Sequence, residues 1–299
     1  MCVLMFMSKI LITGASGNIG KSVIKQLFSH LKTSVSVYPG VRNPGKSSAL
    51  KLERLYQGLN FKILDFENPS TFPEALEDID LVFLLRPSHI SEVKKYFQPF
   101  INALIDKKIR GVVFLSVQGV EKSSVIPHNK IEKLISQSGI PYVFLRPSYF
   151  MQNLTTTLYD ELKRNQRIIV PSGEALFNWV DVESIGEVAA VVLGHFETYT
   201  GQAFDITGYE NLNFLELVRQ INESTSQNLE YNSFNPISFY FYQKRTGKAS
   251  GFIMVMIMLH FLPRFQPPPV ISNAYEKLTG NKPNSLRKFI ERERSSFSF

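Results

Sequence analysis

The chain has 299 residues, a formal net charge of +7, an apolar fraction of 44% and a charged fraction of 20%. These values are ordinary for a globular protein with one large domain or two smaller ones. Cys2 is the only cysteine, which excludes an internal disulfide, and no spacing of Cys and His indicates a zinc site, so we expect no metal.

The two ends of the chain bear on location and partners. Residues 1–7 are apolar but lack the basic region and the cleavage site of a signal peptide. The longest apolar run, within Gly251–Leu262, is about half the ~20 residues of a membrane span, so we expect a cytoplasmic protein without a span. The basic surplus lies in residues 240–299. This basic surplus indicates either a solvated face or attraction of an anionic ligand or surface. Because no basic run is interleaved with aromatic residues, we expect no direct contact with nucleic acid.

Alternating strand and helix patterns fill the first half. Apolar, β-branched runs predict six strands, at Lys9–Thr13, Val35–Val41, Phe61–Leu64, Leu81–Leu85, Gly111–Ser116 and Pro141–Arg146. Apolar residues at helical spacing lie between them, for example Ile19, Val23, Ile24, Leu27 and Phe28. This alternation predicts an α/β fold with a Rossmann-type, doubly wound parallel sheet. The strands are apolar throughout, as expected when helices cover both faces.

The second half is less regular. We predict a helix at Val182–Leu193 and a strand at Ala203–Thr207, followed by helices at Phe214–Asn222, Gly251–Leu262 and Ser285–Arg292. These predict a smaller, mainly helical C-terminal lobe. Gly251–Leu262 is apolar all round, which indicates a buried helix or a subunit interface.

A glycine-rich turn joins the first strand to the first helix. Gly14, Gly17 and Gly20 recur at every third position. Such glycines allow a tight turn, close approach of a pyrophosphate to the backbone, and close packing of helix on strand. The helix start adds free N–H groups and a positive dipole end. We therefore predict a dinucleotide site formed by Thr13, Gly14, Ser16, Gly17, Asn18, Ile19 and Gly20.

The end of the second strand indicates which dinucleotide binds. An NAD site has an acidic residue there for the ribose 2′-hydroxyl, whereas an NADP site has a basic residue for the 2′-phosphate. No acidic residue lies between Gly20 and Glu53, but Arg42 and Lys46 follow the strand. The sequence therefore predicts NADP(H). We expect residues 1–155 to bind it and residues 156–299 to form a substrate-binding lobe, with 177–207 returning to the sheet.

The glycine spacing, together with several further stretches, resembles the NmrA-like group of atypical short-chain dehydrogenases/reductases. The matching stretches are Ile10–Gly20, Val41–Pro44, Leu115–Gln118, His128–Glu132, Ser138–Pro147, Phe150–Asn153, Leu278–Pro283 and Ser285–Phe289. That group includes NADPH-dependent quinone and triphenylmethane-dye reductases and a non-catalytic nitrogen-regulatory sensor. The resemblance therefore implies either a reductase acting on a small apolar or aromatic electrophile, such as a quinone, or a redox sensor acting through a partner.

The wider superfamily uses a Ser, a Tyr and a Lys for proton transfer, and the chain departs from this pattern. Ser116 fits the serine, but His128 stands at the tyrosine position and Glu132 at the lysine position. The Tyr-x-x-x-Lys at Tyr159–Lys163 lies after the sixth strand and is misplaced for that role. The resemblance leaves Ser116, His128 and Lys130 as candidate catalytic residues.

The resemblance also implies further ligand contacts. Asp65 and Phe66 are expected beside adenine, and Arg86 along the cofactor or beside an anionic substrate. The expected cofactor contacts beyond the glycine loop are Arg42, Lys46, Asp65, Phe66, Leu85, Arg86, Lys130 and Pro147. The expected substrate contacts are Tyr149, Phe150 and Asn153. The apolar character of Gly251–Leu262 also allows a homodimer, with this segment at the subunit interface.

Overall fold

The computed structural model describes residues 8–31, 35–56 and 58–298 and divides the chain into two compact units. The first unit contains residues 1–147, 182–206 and 274–281, and the second contains 148–181, 207–273 and 282–299. The first segment of the first unit ends at Pro147, whereas the expected boundary was residue 155. Cys2 and the N-terminal run 1–7 lie outside the described residues. No helix in the described ranges is long and apolar enough to cross a bilayer.

The strands in the described residues are short and mostly follow the predicted runs. In chain order they are β1 (Ser8–Ile12), β2 (Val35–Val41), β3 (Lys62–Ile63), β4 (Leu81–Leu85), β5 (Gly111–Leu115), β6 (Tyr142–Pro147), β7 (Tyr149–Phe150), β8 (Arg167–Ile169), β9 (Phe177–Val180), β10 (Ala203–Ile206), β11 (Asn211–Leu212) and β12 (Glu230–Asn232). The third is shorter than its predicted run, and five short strands of the second unit were not predicted.

The helices of the described residues are α1 (Asn18–Leu31), α2 (Ser47–Leu55), α3 (Phe72–Ala75), α4 (Val93–Asp106), α5 (Pro127–Gln137), α6 (Tyr159–Asn165), α7 (Val182–Gly194), α8 (Phe196–Tyr199), α9 (Phe214–Thr225), α10 (Pro236–Arg245), α11 (Ser250–Phe261), α12 (Ala274–Thr279) and α13 (Leu286–Arg292). The predicted helices are present in the structure, and their ends lie within a few residues of the expected ones. An Asn213–Glu216 capping box fixes the start of α9.

The first unit is built on a parallel sheet. Within the described residues seven strands pair in the order β3-β2-β1-β4-β5-β6-β10, and every pairing is parallel. This is the doubly wound Rossmann order with one strand added at the edge, so the predicted fold class is confirmed. Residues 81–84 of β4 are fully buried, as strands covered on both faces require.

Two small residues allow α1 and α7 to pack closely. An ideal Cβ on Gly186 would lie 2.2 Å from the Ser22 hydroxyl oxygen and 2.8 Å from the Ser22 carbonyl carbon. The Ser22 hydroxyl donates a hydrogen bond to the Val182 carbonyl at 3.0 Å, joining the two helices directly. Gly186 is therefore a packing residue, since any side chain there would separate the helices.

The second unit has its own core and its own polar anchor. Trp179, Phe177 and Phe214 pack edge to face in its centre. The fully buried Asp181 carboxylate accepts two hydrogen bonds from the Arg292 guanidinium, at 2.7 and 3.1 Å. Gln152 and Asn284 also donate to this carboxylate, which ties the C-terminal helix α13 to the unit.

We predict that Gly186→Ala destabilises the protein by about 1–3 kcal/mol, because the added methyl group overpacks the contact of α1 with α7. Alanine is otherwise the better helix former by roughly 0.5–1 kcal/mol. Gly251→Ala in α11 is the matched control, since nothing lies within 4 Å of an added Cβ there. Urea unfolding measures both; equal or higher stability of Gly186→Ala would contradict the packing role.

Candidate functional site

The glycine loop lies at the carboxyl end of β1. Gly14 has φ +58°, a left-handed conformation that favours glycine. The Gly17 amide donates to the Gly14 carbonyl at 3.0 Å, which closes the turn. A Cβ on Gly20 would lie 2.6 Å from the Gly14 oxygen and the Ala15 Cα, so the start of α1 is pressed against the loop. The amides of the first turn of α1 have no intrahelical acceptor and are free to bind an anion.

Gly17 has a different role from Gly20. An ideal Cβ on Gly17 has only the Gly14 carbonyl oxygen near it, at 3.3 Å. The side of the backbone where a side chain would project is therefore open. This open side, next to the free helix amides, is the space that a pyrophosphate needs.

Thr13 connects the loop to the neighbouring strand. Its amide donates to the Phe83 carbonyl at 3.0 Å, and its hydroxyl accepts from the Leu85 amide at 2.8 Å. The Thr13 side chain is fully buried. Both residues were predicted as ligand contacts. The hydrogen bond between Thr13 and Leu85 positions the glycine loop beside the end of β4.

Arg42 and Lys46 lie in the turn that follows β2. The Asn43 side-chain oxygen accepts from the Gly45 amide at 2.8 Å, which orders this turn. Both cationic side chains are exposed, and among the described residues neither has an ion-pair partner. The turn thus presents two uncompensated positive charges at the same sheet edge as the glycine loop.

Asp65 and Phe66, predicted beside adenine, have separate surroundings. The Asp65 carboxylate accepts from the Glu67 amide at 3.0 Å in a half-buried turn. The Phe66 ring is 5% exposed and stacks on Phe97, with ring centroids 5.0 Å apart. The ring of Phe66 is therefore part of the core, and only its backbone remains available to a ligand.

Arg86 follows β4 and orders the loop after it. Its guanidinium donates to the carbonyl oxygens of Pro87 at 3.1 Å and Ile90 at 2.5 Å. Its Nε also donates to Nε2 of His128 at 3.4 Å. Burial lowers the pKa of Arg86 below its ordinary value. No carboxylate pairs with it in the described residues, so this cation is held by neutral acceptors alone.

His128 is a neutral side chain in this arrangement. Desolvation, with the Arg86 charge beside it, lowers the pKa of His128 to about 3. Its Nε2 accepts a hydrogen bond, so the single ring proton is on Nδ1. At neutral pH the ring has no acidic imidazolium proton to donate.

Ser116 and Lys130 complete the polar groups at this edge. The Ser116 amide donates to the Leu145 carbonyl at 2.7 Å. Its buried hydroxyl has no hydrogen-bond partner in the described part of the chain, which is uncommon for a buried polar group and leaves it able to bind a polar group of a ligand. Lys130 is exposed in the first turn of α5. Pro147 accepts from the Gln118 amide at 2.9 Å through its carbonyl.

An ion pair occupies the position of the superfamily lysine. The Glu132 carboxylate accepts two hydrogen bonds from Arg146 of β6, at 3.0 and 2.7 Å. The two side chains are only 9% and 21% exposed. The pair raises the pKa of Arg146, chiefly through this hydrogen bond. Glu132 is thus a structural partner of Arg146 and is not free to act on a ligand.

The predicted substrate residues lie in the second unit. The Tyr149 hydroxyl lies 2.9 Å from Nε2 of the buried His260, and burial raises the pKa of this tyrosine. Nδ1 of His260 donates to the Met256 carbonyl at 2.7 Å, so Nε2 accepts from Tyr149. Tyr149 is partly buried and packs against the core of the second unit, and Phe150 and Asn153 are half-buried as well. No local sequence pattern indicated the pairing of Tyr149 with His260, because the two residues lie far apart along the chain.

These positions define one site in the first unit. The residues that follow β1, β2, β4 and β5 lie at the carboxyl edge of one parallel sheet, where open α/β sheets bind ligands. The arrangement offers free helix amides, unpaired cations and an unpaired buried hydroxyl. It can hold an anionic dinucleotide, and among the residues that the structure describes it contains no tyrosine–lysine pair for deprotonating an alcohol.

Comparisons with known proteins agree with this architecture. The chain is 27% identical to prestalk A differentiation protein A of Dictyostelium discoideum over 289 residues, covering 97% of this chain and 93% of that protein. It is 23% identical to quinone oxidoreductase 2 of Escherichia coli over 250 residues, covering 81% and 83%. The solved structure of triphenylmethane reductase from Citrobacter sp. complexed with NADP(H) superimposes with a TM-score of 0.81 at 19% identity, covering 95% of this chain and 99% of that one.

The chain also matches a family as a whole over most of its length. Residues 7–243 match the family described as NmrA-like. That stretch includes the glycine loop, the turn with Arg42 and the position of Glu132. The chain therefore belongs to the NmrA-like family.

Proposed function

We propose that this protein is an NADPH-dependent reductase that transfers a hydride to an apolar electrophile such as a quinone. The observation that carries the proposal is the combination of an intact dinucleotide loop with the Glu132–Arg146 ion pair at the lysine position. Such a site can hold a hydride donor but lacks the base that alcohol oxidation needs. Reduction of an electron-poor acceptor needs mainly positioning and a proton.

The residues fit NADPH in three places. The open side of Gly17 and the free amides of α1 suit the pyrophosphate. Arg42 and Lys46 suit the 2′-phosphate, since each is exposed and unpaired in the described residues. The unpaired hydroxyl of Ser116 at the end of β5 suits a polar group of the cofactor or substrate. When bound, NADPH would supply the hydride.

Lys130 is the residue that we assign to proton supply or charge stabilisation during reduction. A cation there would stabilise the negative charge that develops on a reduced oxygen. His128 is the weaker candidate, because its ring is neutral and already accepts from Arg86. We assign His128 to positioning the loop that follows β4.

The relatives' names agree with this class of reaction. One similar protein is a quinone oxidoreductase and one similar structure is a dye reductase complexed with NADP(H). The first name describes a reaction of quinones. The second describes reduction of a dye by a protein that binds the cofactor proposed here. Steady oxidation of NADPH in the presence of a quinone, an azo dye or an enone tests the proposal. Tight cofactor binding without turnover on any of them would favour a non-catalytic redox sensor instead.

We predict that NADPH binds at least ~10-fold more tightly than NADH, because a charge-assisted Arg–phosphate contact is worth roughly 1.5–3 kcal/mol. Arg42→Ala should remove most of this difference. Arg54→Ala, an exposed arginine on α2, is the matched control and should keep the preference. Calorimetric titration of each protein with both cofactors gives the result, and equal affinities in the unmodified protein would exclude the assignment of Arg42.

Gly17→Val should abolish NADPH binding without unfolding the protein. The valine side chain would fill the open space beside the loop, where only the Gly14 oxygen lies near a Cβ. Thermal melting followed by circular dichroism checks the fold, and fluorescence titration checks binding. A folded variant that binds NADPH normally would place the cofactor elsewhere.

Lys130→Met should lower kcat for quinone reduction by roughly 10²-fold, with little change in NADPH affinity, because a transition-state contact is lost. His128→Phe should lower kcat less, since the ring is neutral at neutral pH. The His128 ring signals in an NMR titration should not move between about pH 5 and 8, where an ordinary histidine titrates. A larger loss in His128→Phe, or a titration near pH 6.5, would reverse the two assignments.

A further inference from the structure

Helix α11 buries only one of its faces. Ile253, Met256 and His260 point into the second unit and are at most 3% exposed. The other face is as apolar as the buried one: Phe252, Met254, Val255, Met258 and Leu259 are 44–56% exposed. The sequence predicted either a helix buried on all sides or a subunit interface. In the structure, one face of α11 is buried and the opposite face is exposed to solvent.

The elements next to α11 also carry exposed apolar side chains. Ile237 and Phe241 of α10, which packs on α11, are 71% and 58% exposed. Leu262 and Phe265, just after α11, are 48% and 73% exposed. We call these side chains, with those of α11, the apolar face. A surface helix normally presents polar residues to water, and contiguous exposed apolar side chains mark an interaction site.

The segment that carries the apolar face is basic, although Asp160 and Glu161 of α6 lie near enough to Lys248 to raise its pKa against the larger lowering by burial. Residues 231–275 contain no aspartate or glutamate, but they contain Lys244, Arg245, Lys248 and Arg264. The Lys248 ammonium lies 5.9 Å from the centre of the Phe252 ring, at the start of α11. The Arg264 guanidinium lies 5.4 Å from the centre of the Phe261 ring, at its end. Cations therefore flank the apolar face at both ends of the helix.

We propose that the apolar face docks on an anionic phospholipid membrane surface. Interfacial helices that lie in the plane of a membrane combine apolar side chains, which enter the headgroup boundary, with lysine and arginine that contact anionic lipids. The 12 residues of α11 are too few to span a bilayer but suffice to lie on one.

The charge pattern favours lipid over a second copy of the chain. In a twofold dimer the same patch meets itself, so the four cations of this segment would approach their copies, and the nearby carboxylates Asp160 and Glu161 are fewer than these cations. A membrane rich in anionic lipid offers the complementary charge along the whole patch. The same docking would bring the protein to where apolar acceptors concentrate, although it does not depend on the reductase function.

Vesicle flotation of the full-length protein tests the proposal. We expect binding to vesicles of phosphatidylcholine with roughly a third phosphatidylglycerol, at least ~10-fold tighter than to phosphatidylcholine alone, and weakened by added salt. The double variant Val255→Glu/Leu259→Glu should lose binding. Leu215→Glu, which changes a 63% exposed leucine of α9, is the matched control and should bind as the unmodified protein does.

A second pair of variants tests the charges alone. Lys244→Gln/Arg245→Gln should weaken binding to anionic vesicles on the order of 25-fold, since each cation near such a surface contributes about fivefold. Far-UV circular dichroism and NADPH affinity verify that every variant is folded.

Three results would overturn the proposal. Equal binding to both kinds of vesicle would show that the cations do not select lipid. Loss of binding in Leu215→Glu would show that the apolar face is not specific. Absence of vesicle binding would also overturn it; if sedimentation then shows a dimer that Val255→Glu/Leu259→Glu dissociates, the occupant is a second copy.

Discussion

Strand β1 lies between β2 and β4, and its parallel register with both determines where the site residues lie. Ile12 pairs with Pro39 on one side and Phe83 on the other. The residues that follow these strands are thereby brought to one edge of the sheet, although they are far apart in sequence. The hydroxyl of Thr13 fixes the edge by accepting from the Leu85 amide. The glycine loop, the turn with Arg42 and the loop with Arg86 all depend on this pairing.

The sheet edge is electropositive because its cations are not neutralised locally. Arg42 and Lys46 are exposed and unpaired in the described residues, and Arg86 is bound only by carbonyl oxygens and a neutral imidazole. Helix α1 adds the positive end of its dipole at the same edge. A site of this kind attracts an anionic ligand before any specific contact forms. The neutrality of His128 follows chiefly from its desolvation by burial, and the Arg86 charge beside it acts in the same direction.

The parts of the structure that the sequence predicted are those encoded locally. An apolar run such as Leu81–Leu85 indicates a strand by itself, and Gly14, Gly17 and Gly20 indicate the phosphate loop by their spacing. The strand order then follows from general rules of α/β folds. The contacts that could not be predicted join distant positions, because no local pattern records them. The hydrogen bond of Tyr149 with His260 and the ion pair of Asp181 with Arg292 are of this kind.

Phe66 shows a different limit of prediction. Its position after β3 suggested a ligand contact, and the position is as expected. The direction of its ring depends on the neighbouring Phe72, Phe97 and Phe100, which surround it in the core. Position along a strand therefore predicted the loop but not the orientation of each side chain.

The Glu132–Arg146 ion pair also limits which single substitutions could lead from this chain to an enzyme with a tyrosine–lysine pair. Replacing Glu132 alone by lysine would set two cations against each other in a largely buried place, and replacing Arg146 alone would leave a buried carboxylate unpaired. Breaking one partner of a buried pair typically costs about 3–5 kcal/mol, a large part of the stability of an ordinary domain. Acquiring that chemistry would need both positions to change together, besides a tyrosine at 128. A single substitution of Glu132 or Arg146 therefore lowers the stability of the fold. A lineage that carries this ion pair thus keeps a chemistry that does not use the lysine.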